Sequence, residues 1–154
     1  MVIGSIRRAQ PSDADIIHRF ITELAIYERE PDAVETTPDI LASQLSMDRP
    51  PFECILVCDP QGTPVGFALF FETYSTWKGK AGIHLEDLYV CENERGQGYG
   101  LALLEHLKQL TQERGYPRLE WAVLDWNEPA IRFYQDFGAK PLDEWTTWRF
   151  ETDS

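Results

Sequence analysis

The sequence predicts an α+β (mixed α/β) fold in which about four helices flank a central, mostly antiparallel sheet. Three runs rich in β-forming residues follow one another in the middle of the chain, at 52–59, 64–74 and 82–91. Helical patterns with recognisable caps lie before and after these runs. Strands grouped together and enclosed by helices are typical of helices packed on a sheet.

The N-terminal half begins with a predicted strand at 5–10 and two predicted helices. The first helix, 11–30, has Ser12 or Asp13 as its cap. The second helix, 36–45, has a threonine cap and a proline in its first turn. Residues 60–63 are turn formers, so the strands on either side of them are expected to form a hairpin. One face of the first helix is apolar and consists of Ile17, Phe20, Ile21, Leu24 and either Tyr27 or Glu28.

The C-terminal half continues with a helix from about Gly98 to Arg114, which Gly115 ends. A strand at 118–124, a capped helix at 127–138 and a last strand at 144–151 follow. The predicted order is therefore β-α-α-β-β-β-α-β-α-β. We expect the long helix to bury its leucines at Leu101, Leu104, Leu107 and Leu110, with Leu103 as a further candidate.

Composition and charge limit the partners. A chain of 154 residues suits one domain, 1–154, and the net charge of −12 disfavours nucleic acid and anionic membranes while attracting cations. The three cysteines form no C-x-x-C pair, which is typical of reduced thiols in a cytoplasmic protein. The three histidines lack metal-ligand spacing, so we expect no metal site.

Three glycines at alternate positions, Gly96, Gly98 and Gly100, lie between the third central strand and the long helix. A helix N-terminus preceded by residues without Cβ atoms can bind an anion, because unpaired N–H groups point outward. The segment lacks the Walker A pattern, and its spacing breaks the dinucleotide fingerprint. Simple turn chemistry remains an alternative interpretation of these glycines.

The stretch RGQGYG, with Arg95, Gly98 and Gly100, fits the R/Q-x-x-G-x-G/A signature and resembles the GNAT acyltransferases. The stretch NEPAIRFYQDFGA is similar to a second GNAT segment, and the predicted element order matches a GNAT-like fold. ELAIYE, TYSTWKGK, LEDLYV and WNEPAIRFY are similar to segments of the spermidine/spermine (diamine) N-acetyltransferases.

The resemblance implies acetyl-CoA as cofactor and assigns residues to it. The backbone of a splayed strand would hold the acetyl-pantetheine arm, the glycine loop would hold the pyrophosphate, and the Asn-headed helix would flank the thiol. The implied cofactor-binding residues are Leu88, Tyr89, Val90, Arg95, Gly96, Gln97, Gly98, Tyr99, Gly100, Leu101, Asn127, Glu128, Pro129, Ala130 and Tyr134.

Acetyl transfer to an amine requires a neutral nucleophile, whereas an ammonium near pKa 10.4 is neutral in only about one molecule in 2,500 at pH 7. A carboxylate can accept the proton directly or through water. The resemblance implies Glu86 as the amine ligand and candidate base. Glu86 and Asp87 are adjacent in a strand, so we expect them to face opposite sides of the sheet, with Asp87 bracing the fold.

Tyr134 is the implied acid for the departing thiolate. A phenol near pKa 10 is a weaker acid than a thiol near 8.5, so full proton transfer is uphill by about 2 kcal/mol unless the site lowers the pKa of the phenol. Hydrogen bonding to the thiolate is the alternative. Tyr134 also belongs to an apolar helix face with Ala130, Phe133 and Phe137, which by itself predicts a core aromatic.

The resemblance implies a small cationic amine as acceptor, diamine-like or polyamine-like, bound by Tyr27, Glu28 and Glu86. It also implies a homodimer, in which Trp145 and Trp148 could be either interface anchors or core residues. Thr146 stands where the family has a substrate-binding glutamate, which leaves thialysine-type and other small amines open. A protein acetyltransferase and a non-catalytic acyl-CoA sensor are the competing hypotheses.

Overall fold

The computed structural model describes residues 4–152, and the chain divides into two compact units between Ala122 and Val123. Among the described residues, the first unit contains three α-helices and five strands, and the second contains one α-helix. In chain order the elements are β1 Ser5–Arg8, α1 Ala14–Tyr27, α2 Pro38–Leu45, β2 Glu53–Cys58, β3 Pro64–Ser75, β4 Lys80–Val90, α3 Tyr99–Glu113, β5 Leu119–Glu120 and α4 Glu128–Phe137.

The five strands form one sheet in the order β1-β2-β3-β4-β5. The first four strands are antiparallel neighbours, and β5 alone runs parallel to β4. Gly66 allows β3 and β4 to approach closely, since a Cβ atom there would lie 2.6 Å from the carbonyl oxygen of Tyr89. The predicted α+β fold with a mostly antiparallel sheet is confirmed.

Helices α1 and α2 cover one face of this sheet. Ile17, Phe20 and Leu41 from these helices pack with alternate residues of the strands. The intervening strand residues, such as Ile55 and Phe70, are also buried, and α3 packs on the sheet through leucines of its own. Side chains alternate between the faces of a strand, so the two sets of residues belong to the two faces of the sheet. The strand residues on the α1 face are Cys54, Leu56, Phe67, Leu69 and Tyr89.

Helix caps follow the local sequence signals. The hydroxyl of Thr37 accepts a hydrogen bond from the amide of Ile40 at 3.2 Å and caps α2. Gly115 follows the end of α3 with φ of 72°, and Gly138 ends α4 with φ of 106°. This left-handed region is open to glycine at no steric cost, so both glycines terminate their helices as predicted.

Leu101 is not buried, contrary to prediction. It is 45% exposed, whereas Leu103, Leu104 and Leu107 are fully buried. An α-helix turns about 100° per residue, which places Leu101 about 160° from Leu103 around the axis. The buried stripe of α3 is therefore centred on Leu103 and Leu107, and Leu101 lies beyond its edge.

Two strand predictions need correction. Of the strand predicted at 118–124, only Leu119 and Glu120 pair, and they pair with β4. The last strand, predicted at 144–151, is wrong, because those residues form no strand among the described residues. Trp148 and Phe150 there are each 90% exposed. β-Propensity reflects packing on a sheet, so it does not create a ladder where no neighbouring strand is present.

Candidate active site

Strand β4 has an unpaired edge over its second half. β5 pairs with Ile83 and His84 only, and among the described residues no strand pairs with that edge beyond them. On its other edge, β4 is paired with β3 as far as Val90. Apart from the carbonyl oxygen of Val90, which accepts a hydrogen bond from Arg95, backbone N–H and C=O groups along this edge have no strand partner and can pair with an extended ligand. The implied arm-binding residues Leu88, Tyr89 and Val90 lie on this part of β4.

The glycine loop between β4 and α3 has the backbone geometry of an anion site. Gly96 and Gly98 have φ of 80° and 89°, and Gly98 is the N-cap of α3. A Cβ atom at Gly96 would meet nothing within 4 Å, so the loop is open on that side. The first turn of α3 contains no acidic residue, and its amides have no intrahelical partner. These features fit the pyrophosphate of a coenzyme.

Other side chains of this segment have structural partners. The amide of Gln97 donates to the carboxylate of Glu94 at 3.2 Å. Tyr99 is buried in the first turn of α3, so its side chain anchors the helix to the core. Gly100 lies within the same turn, and Leu101 follows it with an exposed side chain. The contribution of this segment to an anion site is therefore mainly through backbone amides.

Arg95 connects the end of α1 to β4. Its Nε donates a hydrogen bond to the carbonyl oxygen of Val90 at 3.0 Å. Its guanidinium lies 5.1 Å from the ring centroid of Tyr27 and 5.5 Å from that of Tyr89. Cation–π contacts of this kind contribute roughly 0.5–1 kcal/mol each at exposed sites. Arg95 thus fixes the position of Tyr27, and its contact with a coenzyme stays a prediction.

Tyr89 directs its side chain into the core on the α1 side. Its hydroxyl donates to the carboxylate of Glu23 at 2.7 Å, and its ring packs against Phe20. Burial, followed by the neighbouring Glu23, raises the pKa of the Tyr89 hydroxyl. The phenol is therefore a structural donor that holds β4 to α1.

The expectation that Glu86 and Asp87 face opposite sides of the sheet is wrong. Leu69 pairs with Asp87 while the next residue, Phe70, pairs with Leu85, so Glu86 is an extra residue in a β-bulge. A bulge places two residues opposite one and breaks the alternation of side chains. Since Leu69 belongs to the α1-facing core, its partner Asp87 lies on the same side.

Three carboxylates, two on β4 and one just after the end of α1, lie within electrostatic range of one another. We call Glu28, Glu86 and Asp87 the acidic cluster. Burial raises the pKa of Glu28, and the charge of Glu86 raises it further. Burial, then Glu86, then Glu28 raise the pKa of Asp87 to about 7. Each group is therefore close enough to the others for its charge to be felt, and the cluster repels anions and attracts cations.

The members of the acidic cluster differ in exposure and partners. Glu86 is largely exposed, and one of its carboxylate oxygens lies 3.5 Å from Nε2 of His84. The ring of His84 in turn lies 5.0 Å from that of Phe71. Asp87 is half-buried, and the described residues give it neither a hydrogen-bond donor nor a cation. Sequence reasoning missed Asp87 because no local signal reveals the bulge.

In the second unit, Asn127 and Tyr134 lie on or beside α4. The side-chain oxygen of Asn127 accepts a hydrogen bond from the amide of Ala130 at 3.4 Å and caps the helix. Glu128 and Pro129 are exposed in the first turn. Tyr134 is half-buried beside Phe133, with ring centroids 5.4 Å apart. Tyr134 is thus not fully buried, as the apolar pattern alone would have placed it.

Three further findings concern the described residues as a whole. Residues 4–152 contain no group of three or more His, Cys, Asp or Glu side chains arranged to hold a metal ion. None of the helices in that range is both long and apolar enough to cross a membrane. Cys54, Cys58 and Cys91 are all free thiols.

Comparison with known proteins identifies relatives along nearly the whole chain. The sequence profile of the acetyltransferase (GNAT) family matches residues 17–139. Thialysine N-epsilon-acetyltransferase of Bos taurus is 36% identical over 100% of this chain and 96% of its own length. Spermidine/spermine N(1)-acetyltransferase-like protein 1 of Homo sapiens is 34% identical over 96% of this chain and 22% of its own length.

A solved structure has a similar fold over nearly the whole chain. An integron cassette protein from the mobile metagenome of V. cholerae matches with a TM-score of 0.79 and 26% identity. The match covers 99% of this chain and 94% of that protein.

Proposed function

Because the chain belongs to the GNAT acetyltransferase family, whose acyl donor is acetyl-CoA, we propose that it acetylates the terminal primary amine of a small cationic acceptor. The amine attacks the thioester directly, within a complex that holds both substrates. The observation that carries this proposal is the acidic cluster of Glu28, Glu86 and Asp87 beside the open edge of β4. An ammonium bound there would lie beside the strand that holds the thioester arm.

Thialysine-type amino acids are the first acceptor class that we propose, and short diamines are the second. The first choice is supported by a thialysine N-epsilon-acetyltransferase that matches the full length of this chain. The second is supported by the three carboxylates of the acidic cluster, which suit an acceptor with positive charge at both ends. Thr146, where the resembled family has a glutamate, removes one anionic contact and favours acceptors shorter than spermine.

Coenzyme binding is proposed for the residues that the resemblance assigned to it. Backbone groups of Leu88–Val90 would hold the pantetheine arm, and amides of residues 96–101 would hold the pyrophosphate. Residues 127–130 would flank the thiol. The bound thioester supplies the electrophilic carbonyl carbon. Arg95 would act indirectly, by fixing Tyr27 and the end of β4.

The remaining roles follow the same proposal. Glu86, which is largely exposed at the bulge, and Glu28 bind the ammonium, with Tyr27 beside them. Tyr134 supplies the hydroxyl that stabilises or protonates the departing thiolate. We propose further that residues 1–154 act as one acetyltransferase domain, as a cytoplasmic homodimer, without nucleic-acid or membrane partners. The family match on both sides of Ala122 supports the single domain.

The proposal is tested by thiol release from acetyl-CoA with thialysine, lysine, putrescine, spermidine and a lysine peptide as acceptors. We expect turnover on an aminoalkyl small molecule and a reduction of about a hundredfold in kcat for Tyr134→Phe, within the usual range for a lost proton-transfer group. Tyr74→Phe is the matched control, because Tyr74 is 67% exposed on β3. Tight acetyl-CoA binding without turnover on any small amine would overturn the proposal in favour of a sensor or a protein acetyltransferase.

A further inference from the structure

We infer that Asp87, which the sequence suggested to be a bracing residue, is a catalytic residue that accepts the proton of the acceptor's ammonium, while Glu86 and Glu28 bind that ammonium. This inference rests on the proposed function and gives each of the three carboxylates a separate role in it. It assigns binding to Glu86 and Glu28 and proton transfer to Asp87.

The β-bulge provides the geometry. Asp87 lies on the α1-facing side of the sheet, because its partner Leu69 and Tyr89, two residues further along β4, are packed there. By making Glu86 an extra residue, the bulge breaks the alternation next to Asp87. Glu28 follows the last turn of α1, on that same side. An ammonium bound between Glu28 and Glu86 would therefore meet the carboxylate of Asp87. A strand that alternated regularly from Tyr89 would have kept Asp87 on this side and directed Glu86 to the opposite face.

The lack of a compensating group at Asp87 points to function. A half-buried carboxylate is costly unless it is paired or hydrogen-bonded. Other carboxylates of similar depth are compensated here, since Asp13 pairs with Arg7 and Glu23 accepts from Tyr89. Among the residues that the structure describes, Asp87 has no such partner. The ammonium group of the proposed acceptor would supply a cation for Asp87.

Proton affinity supports this role. Burial first, and then the charges of Glu86 and Glu28, raise the pKa of Asp87 from an ordinary 3.8 to about 7. Burial first, and then the charges of Asp13 and Asp87, raise the pKa of the Cys54 thiol on β2, so that thiol stays neutral. His84 lies beside Glu86. At neutral pH, a base with a pKa near 7 is deprotonated in a large fraction of the molecules and still binds a proton strongly enough to accept one from the substrate.

The proposed step conserves charge and atoms. The ammonium transfers one proton to the Asp87 carboxylate and becomes a neutral amine. The nitrogen lone pair then attacks the thioester carbonyl carbon, and a C–N bond forms. The second nitrogen proton passes to the sulfur as the C–S bond breaks with its electron pair on sulfur. The products are an N-acetyl amine and free thiol, and Asp87 returns its proton to water.

The test compares kcat, KM and the pH profile of Asp87→Asn, Glu86→Gln and the wild type on the acceptor that the wild type uses best. For Asp87→Asn, we expect kcat at pH 7 to fall at least tenfold with KM changed less than threefold. Its rate should keep rising with pH, because only the pre-formed neutral amine reacts. For Glu86→Gln, KM rises, and the acid limb of kcat/KM moves below that of the wild type because one like charge is gone.

A bracing role predicts a different pattern. Asp87→Asn would then lower thermal stability and leave the acid limb in place, and that result overturns the inference. Asp48→Asn, at an exposed loop position, is the control for loss of an aspartate charge. Normal acetyl-CoA binding by Asp87→Asn confirms that the variant is folded. If the wild type acetylates no amine, the proposed function fails; if the wild type is active and Asp87→Asn matches it, this inference alone fails.

Discussion

Glu53 and Asp87 are both partly buried carboxylates on the sheet of the first unit, and their surroundings are opposite. Glu53 accepts two hydrogen bonds from Arg114, at 2.8 and 2.7 Å, and one from Arg8 at 2.7 Å. These partners, Arg114 above all, lower the pKa of Glu53. Asp87 has two carboxylates near it instead, and its pKa is raised to about 7.

The charge of Glu53 stabilises the fold, whereas the charge of Asp87 destabilises it and serves the proposed proton transfer. At Glu53, the fold supplies both cations and the group holds together β1, β2 and the end of α3. At Asp87, the fold supplies anions, so the native state is less stable with the group ionised. A protein retains such an arrangement where a bound cation or a transferred proton compensates for it. The two sites should therefore respond to neutralisation with opposite signs.

The largest expected effect is at Glu53. We expect Glu53→Gln to lower the free energy of unfolding by about 2–3 kcal/mol at pH 7, because it leaves Arg8 and Arg114 without their anion. The pKa of Glu53 is depressed below its ordinary 4.5 in the folded state, so its contribution is complete above that pH and disappears as the pH falls further. Urea denaturation at pH 7 and pH 3.5 measures both values. An equal loss at both pH values would contradict the ion-pair explanation.

The second effect has the opposite sign. We expect Asp87→Asn to raise the free energy of unfolding by about 1–2 kcal/mol at pH 8, below the limit of about 4 kcal/mol that a shift of about three pKa units allows. Because the folded-state pKa is raised, the penalty of the ionised group is full above about pH 7 and absent below about pH 4. The gain should therefore disappear as the pH falls from 8 to 4. Urea denaturation of Asp87→Asn and of the control Asp48→Asn measures this gain. If Asp87→Asn is less stable than the wild type at pH 8, the contrast between Asp87 and Glu53 is wrong.

A smaller difference is expected between the two arginines of the Glu53 site. Arg114 makes two hydrogen bonds with 23% of its side chain exposed, whereas Arg8 makes one with 56% exposed. We expect Arg114→Gln to cost about 1–2 kcal/mol and Arg8→Gln less than about 1 kcal/mol, since solvent screens the exposed pair. Each variant is measured by urea denaturation at low and at 0.5 M salt. If Arg8→Gln costs more than Arg114→Gln, the assignment of Arg114 as the main partner is wrong.

The smallest effect concerns the neighbours of Asp87. Both Glu86→Gln and Glu28→Gln should lower the titration midpoint of Asp87, and Glu86→Gln should lower it more, since its charge is the stronger of the two influences. Carboxyl chemical shifts followed against pH measure these midpoints. Glu30→Gln is the control, as an exposed carboxylate just beyond the end of α1. A midpoint unchanged by either cluster substitution would show that the three carboxylates are not coupled.

Local chemistry accounts for what the sequence could predict. Thr37, Gly115, Asn127 and Gly138 mark helix ends through contacts within a few residues, and all four act as predicted. The hairpin of β2 and β3 likewise follows from its turn residues. The glycines of the loop before α3 have the positive φ that a close backbone approach requires. These features depend on neighbours in the sequence, so they can be read before the fold is known.

Pairing across the sheet could not be predicted in the same way. The bulge at Glu86 depends on the register of β4 against β3, and that register decides on which side Asp87 lies. The segment at 144–151 has strand-forming residues but no ladder, because a ladder needs a partner strand. Sequence reasoning thus found Glu86 and misplaced Asp87, its immediate neighbour. The roles of Tyr134 and of the coenzyme-binding residues stay predictions that the proposed assays test.

The most direct test of this account is the titration of the Asp87 carboxyl in the wild-type protein, followed by carbon NMR and assigned by its loss in Asp87→Asn. We predict that the Asp87 carboxyl has its titration midpoint near pH 7 when no acceptor is bound, because burial and two like charges oppose its ionisation. A midpoint at or below about pH 4 would mean that Asp87 has a compensating partner. Asp87 would then be a paired structural carboxylate, as Glu53 is, and another residue would have to accept the proton.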